Sequence, residues 1–405
     1  MSGRSDIYTN TDIYKYTANL TYILDGKVHE IETTSIRTIA IDCNYDQMNM
    51  PMIFMTLGIY QSLANTMILH QDTGLFILDI KRCVSNSDMP DLYSDYIYDK
   101  FIYFIAGNID SENTVELEED ALDDDTTVTI GLLSLDHVNK NKKTVNGIIN
   151  GKLSSAMYYL TGHLPIVIEP PTTNVTLENV ILPPVNSVNK SLEYLNSINV
   201  FYNTPYRFFI DFDQAYLISS SGRAVKAKGE NISSVMITIR HEDEAESMIQ
   251  GMTTNRSQAL YEIIASSKDC EISDNALSEK SYSKISATNT SGSSTKTTLS
   301  TVSSGSSITP KTKTIRISND NAGLLNNLAT SIDQSAVQIL VQKTDIDSSV
   351  LTMNKEYIIR TDEASYNGNT YNGRYLLTRK RELYIRDDTT FTMDVMLLFK
   401  KVPND

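Results

Sequence analysis

Strict alternation of apolar and polar residues runs through both ends of this 405-residue chain and limits them to β-strands. Near the N-terminus six apolar positions follow this period, at Tyr14, Tyr16, Ala18, Leu20, Tyr22 and Leu24. Near the C-terminus five more do so, at Phe391, Met393, Val395, Leu397 and Phe399. Successive side chains of a strand point to opposite faces, so both ends are predicted to be strands with one face in a core.

Turn signals between the strands favour an antiparallel barrel or sandwich. Asp25-Gly26 separates the first alternating segment from the next, and this dipeptide suits the tight turn of a β-hairpin. Abundant turn residues and 23 Tyr without any Trp also favour strands over long helices. Further strands are predicted over 36–42, 51–60, 75–84 and 96–106.

The middle of the chain departs from this pattern. Apolar residues recur at helical spacing over 142–160, which predicts a helix there, although Gly147 and Gly151 weaken it. Residues 242–264 are predicted to be weakly helical, and 127–136 to be another strand.

Two segments are too polar to contribute to a core. The run ELEEDALDDD (116–125) is predicted to be an exposed loop or a boundary. From Ser281 to Thr312, 19 of 32 residues are Ser or Thr, which predicts a flexible, low-complexity excursion. It is either disordered or ordered only by an acidic partner, because it lacks carboxylates. Six cations lie between Glu279 and Asp320: Lys280, Lys284, Lys296, Lys311, Lys313 and Arg316.

No arrangement of residues indicates catalysis or a metal site. Asp211 and Asp213 are two apart on a predicted strand, but a solvated strand edge is preferred because no further acid or His accompanies them. His241 is followed by Glu242, yet a zinc-peptidase helix needs a second His where Ala245 stands. We therefore expect no catalytic residue, no cofactor-binding residue, no cofactor and no metal ligand, and expect the chain not to be an enzyme.

Charge and cysteine content exclude other classes of function. With 50 acidic and 35 basic residues the net charge is −15, which argues against binding of nucleic acid but permits DNA to pass nearby. Cys43, Cys83 and Cys270 are odd in number and far apart, which favours reduced thiols. We see neither a signal peptide nor a membrane-spanning stretch, and expect synthesis in a cytoplasm without membrane insertion.

Three stretches of the sequence together resemble a known family. They are LPPVNSVNKSLEYLNSINVFYNTPYRFFIDFDQAYLIS (182–219), IRTIAIDCNYDQMNMPMIFMTLGIY (36–60) with LFILDIKRC (75–83), and YNGRYLLTRKRELYIRDDTTFTMDVMLLFKK (371–401). In the first stretch a proline pair leads into a short predicted helix and then a strand with alternating aromatic residues. These features resemble the central baseplate hub protein of contractile, T-even-type phage tails.

The resemblance implies a mainly β (α+β) fold with two tail-tube-like antiparallel β-barrels, an inserted α/β region and a small additional domain. The implied organisation is a first barrel over 1–110, an inserted α/β domain over 111–205, a second barrel with closing strands over 206–240 and 313–405, and a helical and low-complexity excursion over 241–312 that is flexible at 281–312.

The resemblance also implies a structural virion protein of the tail baseplate, assembled in the host cytoplasm. Such a hub is a homotrimer that adapts a hexameric tail tube to a trimeric spike and lines a channel for DNA in transit. Its partners would be the tube protein, the spike protein and the baseplate wedge proteins. The alternatives are a tube terminator or neck adaptor, which would lack a duplicated barrel, and a carbohydrate-binding or hydrolytic tail component.

Overall fold

A computed structural model of the protein describes the following residues: 14–45, 50–71, 73–84, 94–111, 125–134, 145–152, 155, 166–168, 177–185, 191, 206–211, 214–219, 232–240, 252–255, 258–273, 281–290, 294–303, 311–318, 337–344, 346, 351–353, 355–361 and 371–402. Strands predominate in this part of the chain, and the α-helix α1 (Gln61–Leu69) follows the fourth strand.

The strands are, in chain order, β1 (Tyr14–Leu24), β2 (Lys27–Ile31), β3 (Ile36–Asn44), β4 (Met52–Tyr60), β5 (Leu75–Val84), β6 (Ser94–Ser111), β7 (Asp125–Ser134), β8 (Val145–Gly151), β9 (Ile166–Ile168), β10 (Leu177–Val185), β11 (Tyr206–Asp211), β12 (Gln214–Ser219), β13 (Ile232–Arg240), β14 (Met252–Asn255), β15 (Gln258–Ser266), β16 (Cys270–Ser273), β17 (Ser281–Thr290), β18 (Ser294–Ser303), β19 (Lys311–Ser318), β20 (Gln338–Thr344), β21 (Glu356–Thr361), β22 (Gly373–Asp387) and β23 (Thr390–Lys401).

The first barrel is a ring of strands that are all paired antiparallel. Hydrogen-bonded neighbours run in the order β1–β5–β6–β7–β4–β3–β22–β23, and Tyr16 of β1 pairs with Phe391 of β23 to close the ring. Alternate positions of these strands fill the interior, as the sequence predicts for a half-buried sheet. The buried residues include Ala18, Leu20, Tyr22, Ile39, Ile41, Ile53, Met55, Leu57, Phe76, Leu78, Ile80, Val128, Ile130 and Leu132.

The predicted hairpin at the N-terminus is confirmed. Leu24 of β1 pairs with Lys27 of β2, which leaves Asp25 and Gly26 as a two-residue turn. Their φ angles are 49° and 77°, both in the left-handed region that the tight hairpin turns require. Glycine adopts this region without a Cβ penalty, so the local sequence alone determines this turn.

The second barrel shares β22 and β23 with the first. β22 pairs with β21 over 373–376, and β23 pairs with β20 over 394–400. β21 pairs with β13 and β13 with β15, which continues through a 3₁₀ turn at Ser267–Asp269 into β16. β16 pairs with β20, and this pairing closes the second ring of strands. The two barrels form one continuous apolar core.

The second barrel differs from a fully antiparallel design, because β13 pairs in parallel with both β15 and β21. Parallel neighbours need long crossover connections, and the chain between β13 and each partner supplies them. The 3₁₀ corner is capped by Ser266: its Oγ accepts a hydrogen bond from the N–H of Lys268 at 3.3 Å, and its own N–H donates to Asp269 Oδ2 at 3.4 Å. This capping box stabilises the bend that lets one strand join two neighbours.

β22 passes from the second barrel to the first at Thr378. The register of β22 against β23 shifts between Leu377 and Arg379, which is a β-bulge. A bulge inserts one residue and reverses which alternate positions face inward. The buried inward positions are therefore odd before the shift, at Tyr375 and Leu377, and even after it, at Lys380, Glu382 and Tyr384.

Three smaller sheets are not paired with the barrel strands: β8 with β10, β9 with β12 and β11, and β17 with β18 and β19. The helix predicted over 142–160 is wrong over Val145–Gly151, which is β8, whereas Ser155 is helical. Gly147 and Gly151 have φ angles of 141° and 105°, which no right-handed helix contains. The weak helix predicted over 242–264 is also wrong where it is described, since Met252–Asn255 is β14 and β15 begins at Gln258, and strand pairing overrides the weak local preference.

The Ser/Thr-rich segment also differs from its prediction as an irregular excursion. It contains β17, β18 and the start of β19, and these strands form a three-stranded antiparallel sheet. Threonine favours strands, and backbone hydrogen bonds between three neighbouring segments do not require an apolar core on both faces. Whether this segment is flexible stays a prediction.

The helix predicted after the proline pair lies outside the described residues, apart from Ser191, which is helical.

Candidate functional site

The residues considered in the sequence as candidate ligands or acids do not converge. Asp211 is the last residue of β11 and pairs with Gln214, the first residue of β12. Asp213 and His241 lie outside the described residues. Cys43 is a buried free thiol and Cys270 a half-buried one. Within the described ranges, no group of three or more His, Cys, Asp and Glu could hold a metal ion.

A buried ion pair lies inside the first barrel, just past the bulge at Thr378. Lys380 Nζ is 3.1 Å from Glu382 Oε1 and donates a hydrogen bond to the carbonyl oxygen of Leu351 at 3.2 Å. The hydroxyl of Tyr384 donates to Glu382 Oε2 at 3.1 Å. Glu382 is only 1% exposed. Because these three side chains alternate along β22, all of them point into the barrel.

The ionisable groups of this cluster are held in unreactive forms. Burial lowers the pKa of Lys380, but the charges of Glu382, Cys43 and Asp211 outweigh it, so the pKa lies above its ordinary value. Burial raises the pKa of Tyr384, and the charge of Glu382 raises it further. Burial, followed by the charge of Asp211, raises the pKa of Cys43. A charged lysine, a neutral phenol and a neutral thiol are neither bases nor nucleophiles at neutral pH.

A second ion pair joins β22 to β3 at the outer face of the same junction. The guanidinium of Arg379 donates to both carboxylate oxygens of Asp42, from Nε at 3.0 Å and from Nη2 at 2.6 Å. This hydrogen bonding raises the pKa of Arg379 above its ordinary value. A bidentate ion pair of this kind fixes the relative position of the two strands more strictly than a single hydrogen bond would.

The sheet of β9, β12 and β11 attaches at the same junction. The ring of Phe209 on β11 lies 4.7 Å from the ring of Tyr45 at the end of β3, and Phe209 belongs to the main core. The N–H of Tyr45 donates to the carbonyl oxygen of Thr378 at 2.8 Å, so the bulge and this aromatic contact are directly connected. The bulge, the end of β3 and β11 therefore form one packed joint between the barrel sheet and the sheet of β9, β12 and β11.

Sequence reasoning missed this joint. The stretch Thr378–Glu382 looks like a solvated run of charge, and only the bulge moves Lys380 and Glu382 to the inner face. The available signal was an interruption of the alternation that otherwise runs through Tyr375 and Leu377. Chemically, the arrangement can hold domains in place but offers no reacting group.

An apolar strip crosses the outer face of the first barrel. Leu383 pairs with Ala40, and Ala40 pairs with Phe54, so these three residues form one row over β22, β3 and β4. Ile385 lies two positions further along β22. Phe54 is 42% exposed and Ile385 40% exposed. Phe54 and Ile385 therefore leave apolar surface exposed on this face, whereas Ala40 is only 8% exposed.

No helix within the described ranges has both the length and the apolarity needed to cross a bilayer.

The chain is similar to bacteriophage proteins. The family model of the Bacteriophage PBS1 gene 109 protein matches residues 9–402. No curated protein matches the chain. Of the solved structures that resemble the chain, the three described next share little sequence identity with it. The family assignment therefore depends on the sequence model alone.

The tail protein from Neisseria meningitidis MC58 is 10% identical at a TM-score of 0.49, and the match covers 95% of this chain and 97% of that one. The prophage MuSo2 43 kDa tail protein from Shewanella oneidensis is 9% identical at 0.47, covering 95% and 99%. The E. coli c3393 protein, a type VI secretion component with structural similarity to the T4 bacteriophage tail proteins gp27 and gp5, is 9% identical at 0.43, covering 95% and 77%.

Proposed function

This chain belongs to the Bacteriophage PBS1 gene 109 protein family, and we propose that it is a structural protein of a phage tail, the central baseplate hub. The observation that carries this proposal is the sharing of β22 and β23 by two barrels. One continuous hairpin, with the buried Lys380–Glu382 pair and the outer Arg379–Asp42 pair at its joint, would hold the two barrels in a fixed relation. Rigidity is what an adaptor under mechanical load requires.

Three copies of such a body place six barrels around one axis. This arrangement would present six similar elements to a hexameric tail tube and three to a trimeric spike, as the proposed hub must. The apolar strip of Leu383, Ala40, Phe54 and Ile385 supports self-association, because a neighbouring copy would remove it from water. Tube, spike and wedge proteins are the proposed partners of the assembled ring.

The chemistry of the chain supports a passive role in DNA passage. A net charge of −15 disfavours adhesion of DNA to the protein, so DNA would cross a channel lined by these subunits without being retained. The unreactive protonation states of Lys380, Tyr384 and Cys43 support a role without catalysis. We place the protein in the virion, after assembly in the host cytoplasm.

One observation favours a second candidate, a tail tube terminator or neck adaptor. The two barrels are not strand-for-strand copies, since the first is wholly antiparallel and the second contains the parallel pairs of β13. A terminator does not need a duplicated barrel. The two candidates differ in where the protein sits on the tail, at the baseplate or at the opposite end.

Electron microscopy tests both candidates. Negatively stained particles labelled with a gold-conjugated antibody against this protein should carry label at the baseplate end of the tail. Label at the head-proximal end would select the terminator instead, and absence of label from both ends would reject a tail role. Purified protein should form threefold rings, and Phe54→Asp should reduce ring formation relative to the control Val28→Asp. Only Phe54→Asp places a charge in the apolar strip, whereas Val28 is an exposed apolar residue of β2 outside it.

A further inference from the structure

The two-stranded sheet of β8 and β10, here called the ribbon, exposes two isoleucines on one face. Ile148 of β8 pairs with Ile181 of β10, and directly paired residues of antiparallel strands lie on the same face of a sheet. Ile148 is 62% exposed and Ile181 is 66% exposed, so both are more exposed than Phe54 and Ile385 of the apolar strip. These two residues are called the isoleucine pair below.

The ribbon has little to stabilise it within its own chain. Among the described strands, β8 and β10 pair only with each other. One side chain holds them together where their register shifts, since Asn150 Oδ1 accepts a hydrogen bond from the N–H of Asn179 at 2.6 Å. Two-stranded sheets are marginally stable in water unless an apolar face packs against another element. We therefore expect the isoleucine pair to be the face that a partner covers.

The apolar strip is a surface of matching form and opposite charge. Ribbon and strip are both faces of antiparallel sheets, and such faces pack together with interdigitating side chains. The exposed residue Asp394 flanks the strip, because it pairs with Leu383 in the same row of side chains. The exposed residue Lys152 directly follows β8 of the ribbon. A carboxylate thus borders one apolar surface and an ammonium group borders the other.

The distance between charge and apolar residue is also similar on the two surfaces. Asp394 and Phe54 are separated by three strand spacings, through Leu383 and Ala40, which amounts to about 14 Å. Lys152 lies four residues beyond Ile148, which amounts to about 13 Å at the rise of a β-strand. With the isoleucine pair on Phe54, Lys152 would consequently lie at Asp394.

We propose that the isoleucine pair of one copy of this chain docks on the apolar strip of a second copy, with Lys152 against Asp394. Two different surfaces meet in this contact, so it is heterologous and closes into a ring when repeated around an axis. The contact removes exposed apolar surface of both partners from water, which stabilises it. The inference rests on the proposed ring and deepens it, because it names the two surfaces that join the subunits.

A mixing experiment tests the heterologous contact. Full-length Ile148→Asp disrupts the ribbon surface, Phe54→Asp disrupts the strip, and Val28→Asp on β2 is the control. In sedimentation equilibrium the first two should weaken self-association about tenfold and the control should not, because a charge is costly in an apolar contact. An equal mixture of Ile148→Asp and Phe54→Asp should form dimers but no rings, since each pair keeps one intact ribbon and one intact strip.

A charge exchange tests the orientation of the contact and changes only exposed side chains, so it does not threaten the fold. Lys152→Asp and Asp394→Lys should each weaken association roughly threefold, the effect of losing an exposed ion pair. The double variant Lys152→Asp/Asp394→Lys should restore wild-type association. The matched control, Lys27→Glu/Glu30→Lys on the exposed strand β2, should have no effect.

Four results would overturn the proposal. They are a monomeric wild type, wild-type association of Ile148→Asp, a mixture that forms no dimers, and a charge exchange that restores nothing. Weakening by Phe54→Asp without weakening by Ile148→Asp would show instead that the strip packs on the strip of its partner.

These results are independent of where the protein lies on the virion. Rings that form from Ile148→Asp reject the contact but leave the baseplate hub standing. Association that depends on Ile148, in a protein that gold labelling does not find on tails, rejects the hub but leaves the contact standing.

Discussion

The two barrels use the same hairpin but close in different ways. In the first barrel, β3 to β7 come from the N-terminal third of the chain and β22 and β23 from its end. The second collects strands from Ile232 onward and includes parallel pairs and a strand bent at Ser267–Asp269. Neither ring closes without the last thirty or so residues, so we infer that both barrels complete their pairing late and cooperatively.

Their interiors differ as well. Both contain aromatic contacts: Tyr357 against Phe399 in the second barrel, with ring centroids 5.6 Å apart, and Tyr16 against Tyr384 in the first, with centroids 5.2 Å apart. The first barrel contains in addition the buried ion pair of Lys380 and Glu382. The bulge at Thr378 separates these two environments within one strand. A single inserted residue thus decides which side chains of the shared strand face the interior of each barrel.

Glu382→Gln should produce the largest loss of stability. The substitution leaves the Lys380 ammonium in the first barrel without its carboxylate, and breaking a buried ion pair in this way costs about 3–5 kcal/mol. The measurement is the free energy of unfolding from urea titration. The double variant Lys380→Met/Glu382→Leu removes both charges and should lose much less. If the single variant is as stable as the double, the ion pair does not stabilise the first barrel.

Gly74→Ala should have the next largest effect. A Cβ at Gly74 would lie 2.4 Å from Cε2 of the buried Tyr22 ring, and forced overpacking costs about 1–3 kcal/mol. Gly58→Ala is the matched control in the same barrel, because a Cβ there meets only the exposed side chain of Arg37, at 3.3 Å, which can move aside. Thermal unfolding should therefore rank Gly74→Ala below Gly58→Ala, and the reverse order would contradict the close contact with Tyr22.

Ser266→Ala tests the corner that is specific to the second barrel. Loss of the capping hydroxyl should destabilise by about 1 kcal/mol, because the N–H of Lys268 loses its acceptor. Ser273→Ala, at the exposed end of β16, should be near neutral. A local readout is hydrogen exchange of the β16 amides, which should quicken while those of β4 in the first barrel do not.

The smallest effect concerns the reactivity of the two barrels' thiols. Burial, then the charge of Asp269, raises the pKa of Cys270 from 9.0 to about 12, and the pKa of Cys43 is raised as well. The folded state thus keeps thiol protons that the unfolded state loses. This contribution to stability is complete below about pH 9 and is lost as the pH rises through 12.

Alkylation with iodoacetamide at pH 8 should consequently be slow at both sites and slowest at the buried Cys43, as measured by peptide mass spectrometry. Unfolding in urea supplies the control rate for each thiol. Faster modification of Cys43 than of Cys270 in the folded protein would show that the first barrel opens more readily than the second.

Much of the strand content could be predicted from sequence because the signals are local. The alternation from Tyr14 to Leu24 and the Asp25-Gly26 turn act over a few residues, and β1 and β2 match them. The first part of the helix predicted at 142–160 failed for the opposite reason: its apolar spacing fits a helix, but pairing of Ile148 with Ile181 on β10 made residues 145–151 a strand. The candidate joint was missed because inward and outward positions exchange at a bulge whose local sign is only an interrupted alternation.

By itself the sequence determined that both ends of the chain are strands, where the first hairpin turns, and that the β17–β19 segment carries cations without carboxylates. Only the tertiary structure decided that one hairpin serves two barrels and that Lys380 and Glu382 are inside. It also paired Asp42 with Arg379, which are 337 residues apart. Periodicity and turn chemistry depend on neighbours along the chain, whereas register, bulges and buried charge depend on partners that only folding brings together.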